Sequence, residues 1–439
     1  MTQHPQPYDI LGVGIGPFNL GLACLSQPVD GLSTLFLDSR PEFRWHPGMM
    51  LPEATIQVPF MADLVTLADP TSEYSFLNWL KIRGRLYPFY IREDVHALRS
   101  EFDLYYRWAA ENLPNLRWGH HVEEITYDQQ ADFFRVQAIT PEGIRTFEAR
   151  HVVIGVGTEP WAPPVFGDDL TGIIHSSDYM HHRDELLDGD SLTIIGSGQS
   201  AAEIYLDLLE TQPGHQYRLE WITRSPRFFP MEDTKLTLEM TSPEYTDHFH
   251  ALPEAVRDQL QREQRGLYKG ISSELIARIY DALYQHSVHE QIATTLLTDT
   301  ELLEATSRSA DNRRELVFRH TQTQTTFRRE ASHVICATGY RPREPHFLNP
   351  LGDLITRDSK NRLAVTRDYH VDTLGGRIFV QNAEEHTHGL TAPDLGMGAW
   401  RNATILACIT GKEIYPIERK IAFQHFGPLA DNTPQELPR

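Results

Sequence analysis

The run Ile10-Leu11-Gly12-Val13-Gly14-Ile15-Gly16-Pro17-Phe18-Asn19-Leu20 decides how this chain folds. The stretch Tyr8 to Val13 reads as a buried strand, the three alternating glycines as a tight turn, and Leu20 to Leu25 as an apolar helix. Such a unit aims free backbone N–H groups and the positive end of a helix dipole at one point, which suits a pyrophosphate. The strict dinucleotide fingerprint has a third glycine where this chain has Pro17. Context strengthens the reading: Leu35-Phe36-Leu37 forms the next strand, and Asp38 closes it where a carboxylate accepts a ribose hydroxyl. The alternative is an ordinary tight βα turn.

A second pattern of the same kind begins at Ser191. Leu192 to Ile195 is a strand, Gly196-Ser197-Gly198-Gln199-Ser200-Ala201 is a GxGxxA turn, and a helix opens at Ala201. Its next strand, Tyr217 to Thr223, is followed by Arg224, with Arg227 close behind. An acid there would repel a 2′-phosphate, whereas an arginine pairs with it in a bidentate way, so NADPH is favoured over NADH.

The 439 residues suffice for two or three domains. Hydrophobic content of 40 % and charged content of 23 % are ordinary for a globular protein. A net charge of −20 argues against non-specific binding to nucleic acid or anionic membrane. Cys24, Cys336 and Cys408 lie in apolar runs. With no CxxC or Cys/His cluster, neither a metal site nor a disulfide frame is expected. No basic-then-apolar leader and no run of membrane-spanning length is seen, which points to a soluble, cytoplasmic protein.

Along the chain, 40–49 reads as a structured loop, Tyr74 to Arg83 as a helix with Ser72 as its cap, Arg99 to Asn112 as a helix, and 116–154 as a strand meander. Helices are expected at Pro253 to Arg265 and Ser272 to Tyr284, and strands at 293–306, 314–319 and 325–328. A buried strand then runs into Thr338-Gly339. His386 to Leu390 reads as a loop, and Asp394 to Thr410 as a helix. The organisation is α/β: two Rossmann-like dinucleotide-binding domains, one inserted into the other, with a small helical substrate-binding insertion. The first domain takes 1–168 and 333–425, the second 175–235 and 291–332, the insertion 236–290; a disordered tail, 426–439, follows.

Two fingerprints in one chain suggest FAD on the first and NADPH on the second. With no redox CxxC and no metal centre, O₂ is the natural outlet for the reduced flavin, which makes a flavin monooxygenase. A reductase handing electrons to a protein partner and a non-catalytic nucleotide sensor remain as alternatives.

The motifs also resemble a family. Gly12-x-Gly14-x-Gly16-Pro17-Phe18-Asn19-Leu20, Trp45-His46-Pro47-Gly48-Met49, Asp63-Leu64-Val65, Pro70-Thr71-Ser72-x-Tyr74-Ser75-Phe76, Ala337-Thr338-Gly339-Tyr340 and Thr387-His388-Gly389 are similar to those of the N-hydroxylating flavin monooxygenases of siderophore biosynthesis, which act on lysine, ornithine or diamines. The likeness runs in order from about residue 8 to about residue 412. It implies FAD, NADPH, O₂, flavin hydroperoxide chemistry, a primary amine leaving as a hydroxylamine, and a homo-oligomer, often a tetramer. By position, Gly12, Gly14, Gly16, Pro17, Asn19 and Asp38 would serve FAD. Trp45, His46, Gln57, Thr338, Gly339, His388 and Gly389 would lie near the flavin. Gly196, Ser197, Gly198, Gln199, Ser200 and Arg224 would hold NADPH. No side chain is singled out as catalytic.

Departures from the family pattern speak to the substrate. The amino-acid hydroxylases read Phe-Leu-Lys-Asp-Leu-Val, and that lysine pairs with the substrate carboxylate; this chain reads Phe60-Met61-Ala62-Asp63-Leu64-Val65. Leu267-Tyr268 stands where the ornithine enzymes have Asn-Tyr, and Asp394-Leu395-Gly396 where they have Leu-Leu-Ser. A carboxylate buried without a cation costs several kcal/mol. The expectation is therefore a linear diamine, cadaverine before putrescine, with Asp394 or Glu239 receiving the remote ammonium. Lysine or ornithine remains the alternative if Lys235 or Lys269 replaces the lost cation.

Overall fold

The structure is a computed structural model and describes residues 6–167, 169–288, 292–308 and 313–428. Its two large sheets each carry one glycine turn. In the first, the strands Leu116–Arg117, Thr34–Leu37, Tyr8–Val13, Gly143–Ile154, Phe133–Thr140 and His121–Asp128 lie side by side, and Ile378–Val380 also pairs with Gly143–Ile154. Tyr8–Val13 runs parallel to both of its neighbours, as a βαβ unit requires. The register sets Gly12 opposite Phe36. A Cβ on Gly12 would fall 2.1 Å from the Phe36 ring, so this glycine is needed for packing inside the sheet.

The second sheet is wholly parallel, in the order Thr294–Leu297, Arg218–Ile222, Ser191–Ile195, His333–Cys336, Ile173–His175. A smaller antiparallel sheet, Thr300–Arg308, Arg313–His320 and Thr326–Ala331, packs Leu316 and Phe318 against Ile222 and Val334 of the parallel one. The short antiparallel pair Thr158–Pro160 and Tyr340–Pro342 joins the two passages of chain between the large units.

Several expected boundaries move. His333–Cys336, assigned to the return of the first domain, lies in the second sheet, parallel to Ser191–Ile195. The return to the first sheet comes only at Ile378–Val380. The helix Ser273–Ser287, placed in the insertion, is the crossover between Arg218–Ile222 and Thr294–Leu297. Its Leu275, Ile279 and Ala282 join the core of Ile204 and Leu208. The insertion thus keeps only the helices Lys235–Leu238, Pro243–Ala251, Glu254–Glu263 and Arg265–Tyr268. The strand expected over 293–306 breaks at Asp299, whose backbone is left-handed with φ 52°. The helix near 74–83 starts at Phe76, because the hydroxyl of Ser75, not Ser72, accepts the Asn78 N–H at 3.2 Å. His386 to Leu390 is two helical turns rather than a loop. Of the expected tail, 429–439 lies outside the described residues, while Phe426 packs on Tyr245.

The helices Pro17–Ser26, Arg99–Asn112 and Gly396–Thr410 share one core with Phe76, Trp79 and Tyr105. Leu20, Leu22 and Leu25 are essentially fully buried, each worth roughly 1.5–3 kcal/mol. That core fixes the first glycine turn against the last helix. Among the described residues no helix is long and apolar enough to cross a membrane.

Candidate active site

The first glycine turn is held from behind. Gly14 has φ 85°, and a Cβ on it would lie 2.5 Å from the Gly155 carbonyl oxygen. Asn19, fully buried, donates to the carbonyls of Gly14 at 2.7 Å and Val13 at 3.2 Å, and accepts from Gln381 at 2.7 Å. It thereby ties the turn to the strand end at Val380. Gly16 caps the helix with no side-chain bond, and nothing stands within 4 Å of its Cβ position. The turn is a cradle open on one side, with helix-end N–H groups facing outward, and these residues fit the pyrophosphate of FAD. Asp38 stands at the expected strand end. Burial would raise its pKa, but the Arg40 ion pair and the Arg40 and Ile15 N–H groups outweigh that and lower it.

The second turn repeats the plan. Gly196 has φ 154°, and its Cβ would meet the Ala337 carbonyl oxygen at 2.2 Å. Gly198 caps the helix Gln199–Thr211 without a side-chain bond. Ser197 accepts from Ser225 at 3.0 Å. Ser200 is half-buried in the first helical turn, and Arg224 is exposed. An open helix end beside an exposed arginine fits a dinucleotide phosphate. Gln199, expected on the nucleotide, has its side chain engaged by the protein. Its amide donates to Glu203 at 3.0 Å, and its carbonyl accepts the Ser272 N–H at 2.9 Å.

Glu203 leads to a contact that sequence reasoning missed. Arg99, at the start of Arg99–Asn112, bonds both Glu203 oxygens at 2.9 and 2.7 Å and the Met49 carbonyl at 2.7 Å. The side chains are only 12 % and 6 % exposed, so this ion pair is a buried clasp between the two large units. Beside it, the turn Pro47–Met49 is wedged into the second unit: a Cβ on Gly48 would fall 1.8 Å from the Ser177 carbonyl oxygen. His46 enters that turn with φ 46°. Burial of its ring, then the Arg99 charge, lowers its pKa to about 4, although solvent still reaches its outer face. Trp45 packs edge-on to Tyr106 at 5.2 Å, and His46 lies 6.3 Å from Tyr340. Gln57 is exposed and reaches Met231 of the second unit at 4.0 Å. Gly339 has φ 87° and accepts from His175 at 3.0 Å, while the Thr338 hydroxyl bonds the Trp161 carbonyl. His46, Gln57, Thr338 and Gly339 thus sit along the junction of the units, with Trp45 packed behind His46 on Phe102 and Tyr106 of the first unit.

His388 does not join them on an open surface. It is completely buried and stacked on Tyr369 at 4.5 Å, with its ring nitrogens bonded to Thr387 at 2.9 Å and the Arg367 carbonyl at 3.2 Å. Burial pushes its pKa well down, which favours the neutral ring. Gly389, with φ 67°, lets the chain pass the Phe249 ring, 3.2 Å from its Cβ position. Below Tyr369, fully buried Arg401 pairs with fully buried Glu384 at 2.9 Å and lies over the Phe18 ring at 4.6 Å.

Of the substrate candidates, Ala62, Asp394 and Gly396 converge. A Cβ on Gly396 would lie 2.9 Å from Asp394 Oδ1 and 3.9 Å from the Ala62 methyl. A small cavity beside them is lined by Pro17, Phe18, Ala62, Tyr106, Leu395 and Asn402, so Ala62 and the first glycine turn share one wall. Ala62 is locked in place by buried Asp63, which accepts N–H groups of Val65, Thr66 and Phe76 at 3.0, 2.7 and 2.7 Å. Asp394 accepts the Met397 N–H at 3.1 Å, and burial raises its pKa against that bond. Leu267 and Tyr268 pack instead with Tyr245, Phe249 and Leu390. Tyr268 donates to Glu385, which also receives Lys269 at 3.0 Å. Glu239 is not in the group: its two oxygens accept the N–H groups of Phe423 and Gln424 at 3.0 and 2.9 Å. Lys235 is exposed on the first turn of the insertion. Burial pushes the Cys336 thiol up to about 12 and that of Cys24 well above its usual range, so neither is a ready nucleophile.

Comparison with known proteins agrees with this architecture. The family model described as L-lysine 6-monooxygenase/L-ornithine 5-monooxygenase matches residues 6–342. A putrescine N-hydroxylase of Acinetobacter baumannii is 45 % identical over 424 residues, 97 % of this chain and 94 % of the relative. The crystal structure of a desferrioxamine-pathway cadaverine monooxygenase from Erwinia amylovora, bound to FAD, is 47 % identical, covers 97 % of this chain and 100 % of its own, and superposes with a TM-score of 0.95. An ornithine N-hydroxylase of Kutzneria sp. 744, solved with reduced FAD, NADP⁺ and L-ornithine, is 30 % identical, covers 92 % and 99 %, and gives a TM-score of 0.85. The chain belongs to the L-lysine 6-monooxygenase/L-ornithine 5-monooxygenase family of N-hydroxylating flavoenzymes.

Proposed function

We propose that this protein N-hydroxylates one primary amine of a linear diamine, cadaverine before putrescine, using FAD, NADPH and O₂. The hydroxylamine would enter hydroxamate siderophore assembly in the cytoplasm. The observation that carries the reading is Ala62. It stands where amino-acid hydroxylases carry a carboxylate-binding lysine, and its neighbours Asp394 and Gly396 supply no cation. The nearby Arg401 lies 2.9 Å from the Glu384 carboxylate and donates to the Thr391 and Ala392 carbonyls. A carboxylate bound beside Ala62 would therefore stay uncompensated, at a cost of several kcal/mol, while Lys269 is paired with Glu385.

In this reading Gly14, Gly16 and Pro17 hold the FAD pyrophosphate, and Asn19 and Asp38 fix their turn. Gly196 to Ser200 and Arg224 hold NADPH. Bound FAD supplies the redox and oxygen-transfer chemistry. The chain's own part is to orient the amine beside the first glycine turn, exclude water there, and accept the amine only in its neutral form, since an ammonium has no lone pair to attack with.

A homo-oligomer, with a tetramer favoured, is part of the proposal. Two separate apolar faces support it: Tyr87, Tyr90 and Ile91 are 74, 75 and 72 % exposed, and Tyr280, Tyr284 and Val288 are 69, 65 and 61 % exposed. Sedimentation velocity reads the assembly state.

The functional test is NADPH consumption and hydroxylamine formation by the FAD-loaded protein with cadaverine, putrescine, L-lysine and L-ornithine. Diamine-dependent hydroxylamine with little free peroxide is expected. Turnover of an amino acid in preference to either diamine would overturn the substrate assignment.

A further inference from the structure

A diamine carries two ends, and only one reacts. The other remains an ammonium at neutral pH and needs a partner within the protein. Asp394 is a poor one, because its Oδ1 already accepts the Met397 N–H. A better-built site lies at Glu385, which opens the helical turn Glu385–His388, the turn that precedes Asp394 and Gly396 in the chain.

Glu385 Oε1 is 3.0 Å from the Lys269 ammonium, and that ammonium lies 4.8 Å from the centre of the Tyr268 ring. The Tyr268 hydroxyl donates to the same carboxylate oxygen. A carboxylate beside an aromatic face is the surrounding an alkylammonium seeks, since charge neutralisation and cation–π attraction act together. The Lys269 side chain is itself a butylammonium, chemically one half of the proposed substrate. The turn that carries it touches the second nucleotide turn: the Lys269 carbonyl oxygen is 3.6 Å from the Cβ position of Gly198.

We propose that Glu385 and Tyr268 form the subsite for the unreacting ammonium of the diamine, and that Lys269 is its built-in competitor. This rests on the functional reading above. Glu385 stays in place because the Tyr268 hydroxyl anchors it and its side chain is 26 % exposed. Lys269, 44 % exposed, swings into solvent at little cost, since ion pairs of that exposure are weak. Lys269, Tyr268 and a Gln261 hydrogen bond lower the pKa of Glu385 against its burial, so it is charged when the diamine arrives. The same carboxylate repels a ligand that brings a second carboxylate, which adds selectivity to the lack of a cation at Ala62.

The test is amine binding to the FAD-loaded, oxidised protein by calorimetry, with putrescine and with n-butylamine, which lacks the second ammonium. Lys269→Ala should tighten putrescine binding about 3–10-fold, because a competitor is gone. Glu385→Gln should weaken putrescine at least about 10-fold and leave n-butylamine within about 2-fold. Lys81→Ala, an exposed helix lysine, controls for the change in net charge. If Lys269→Ala fails to retain FAD, Lys269→Met keeps the packing over Tyr268 and carries the same expectation. Unchanged or weaker putrescine binding by the Lys269 variant overturns the proposal, as does a raised KM for NADPH, which would make Lys269 a nucleotide ligand. Equal loss of putrescine and n-butylamine in Glu385→Gln also overturns it. Failure of the unaltered protein to bind any diamine overturns the functional reading itself.

Discussion

Replacing Ala62 with lysine tests the electrostatic reading of the substrate site directly. The Ala62 methyl is 5 % exposed, beside the backbone of Gly396 and near Asp394. Lysine at that position would carry an ammonium into the site, where it would face the charged end of a bound substrate. Two unit charges about 4 Å apart interact by about 4 kcal/mol at an effective dielectric near 20. Desolvation of the ammonium offsets part of this, leaving a net of about 1.5–3 kcal/mol. The same charge repels a substrate ammonium and attracts a substrate carboxylate. Ala62→Lys should therefore lower kcat/KM for putrescine and cadaverine and raise it for L-ornithine or L-lysine, moving their ratio roughly 10- to 150-fold. The effect should fall mainly on KM. FAD content and melting temperature check that the variant is folded. A ratio unchanged within about threefold in a folded, FAD-loaded variant would refute the argument from the missing cation.

Other expectations follow from the same geometry. Arg224→Ala should raise KM for NADPH far more than for NADH, because only NADPH carries the 2′-phosphate; equal effects would remove Arg224 from the nucleotide site. Asn19→Ala leaves the Gly14 carbonyl and the Gln381 amide buried without partners, so it should cost about 2–4 kcal/mol and weaken FAD retention, read by denaturation and by flavin released on gel filtration. Acid should destabilise the fold as pH falls through the normal histidine range. Burial lowers the pKa values of His46, His151, His175, His250 and His388, so the unfolded chain binds protons first, and melting temperature should fall from pH 7 to pH 5. A melting temperature that rises over that interval would contradict the assignment. The hydroxylation rate should rise with pH through a basic apparent pKa as the bound amine loses its proton; a flat profile for oxygen transfer would count against a neutral-amine attack.

Both nucleotide turns were legible because their physics is local. A strand, alternate glycines and an apolar helix specify the same turn at Gly12–Gly16 and at Gly196–Gly198. The contacts that orient these turns were not local. The Arg99–Glu203 clasp joins residues 104 positions apart, and Lys269–Glu385 spans 116, with nothing in either neighbourhood to mark the partner. The burial of His388 was not legible, because a motif histidine reads alike whether it faces a ligand or a core; its stacking on Tyr369 is a tertiary fact. Glu239 was chosen for its charge, yet its oxygens are taken by backbone of the 423–424 segment, far along the chain. His333–Cys336 went to the wrong sheet because an apolar strand does not announce its neighbours. Ala62 was readable as a departure from a pattern, and the structure adds that Asp394 and Gly396 stand beside it.

The most direct test of the account is an equimolar competition. FAD-loaded protein, limiting NADPH and ¹⁸O₂ are mixed with cadaverine, putrescine, L-lysine and L-ornithine, and the products are separated by mass. A singly ¹⁸O-labelled hydroxylamine of a diamine is expected as the dominant product, with amino-acid products lower by at least about tenfold. A labelled N-hydroxy amino acid as the main product, or NADPH oxidised to peroxide with no labelled amine, would contradict it.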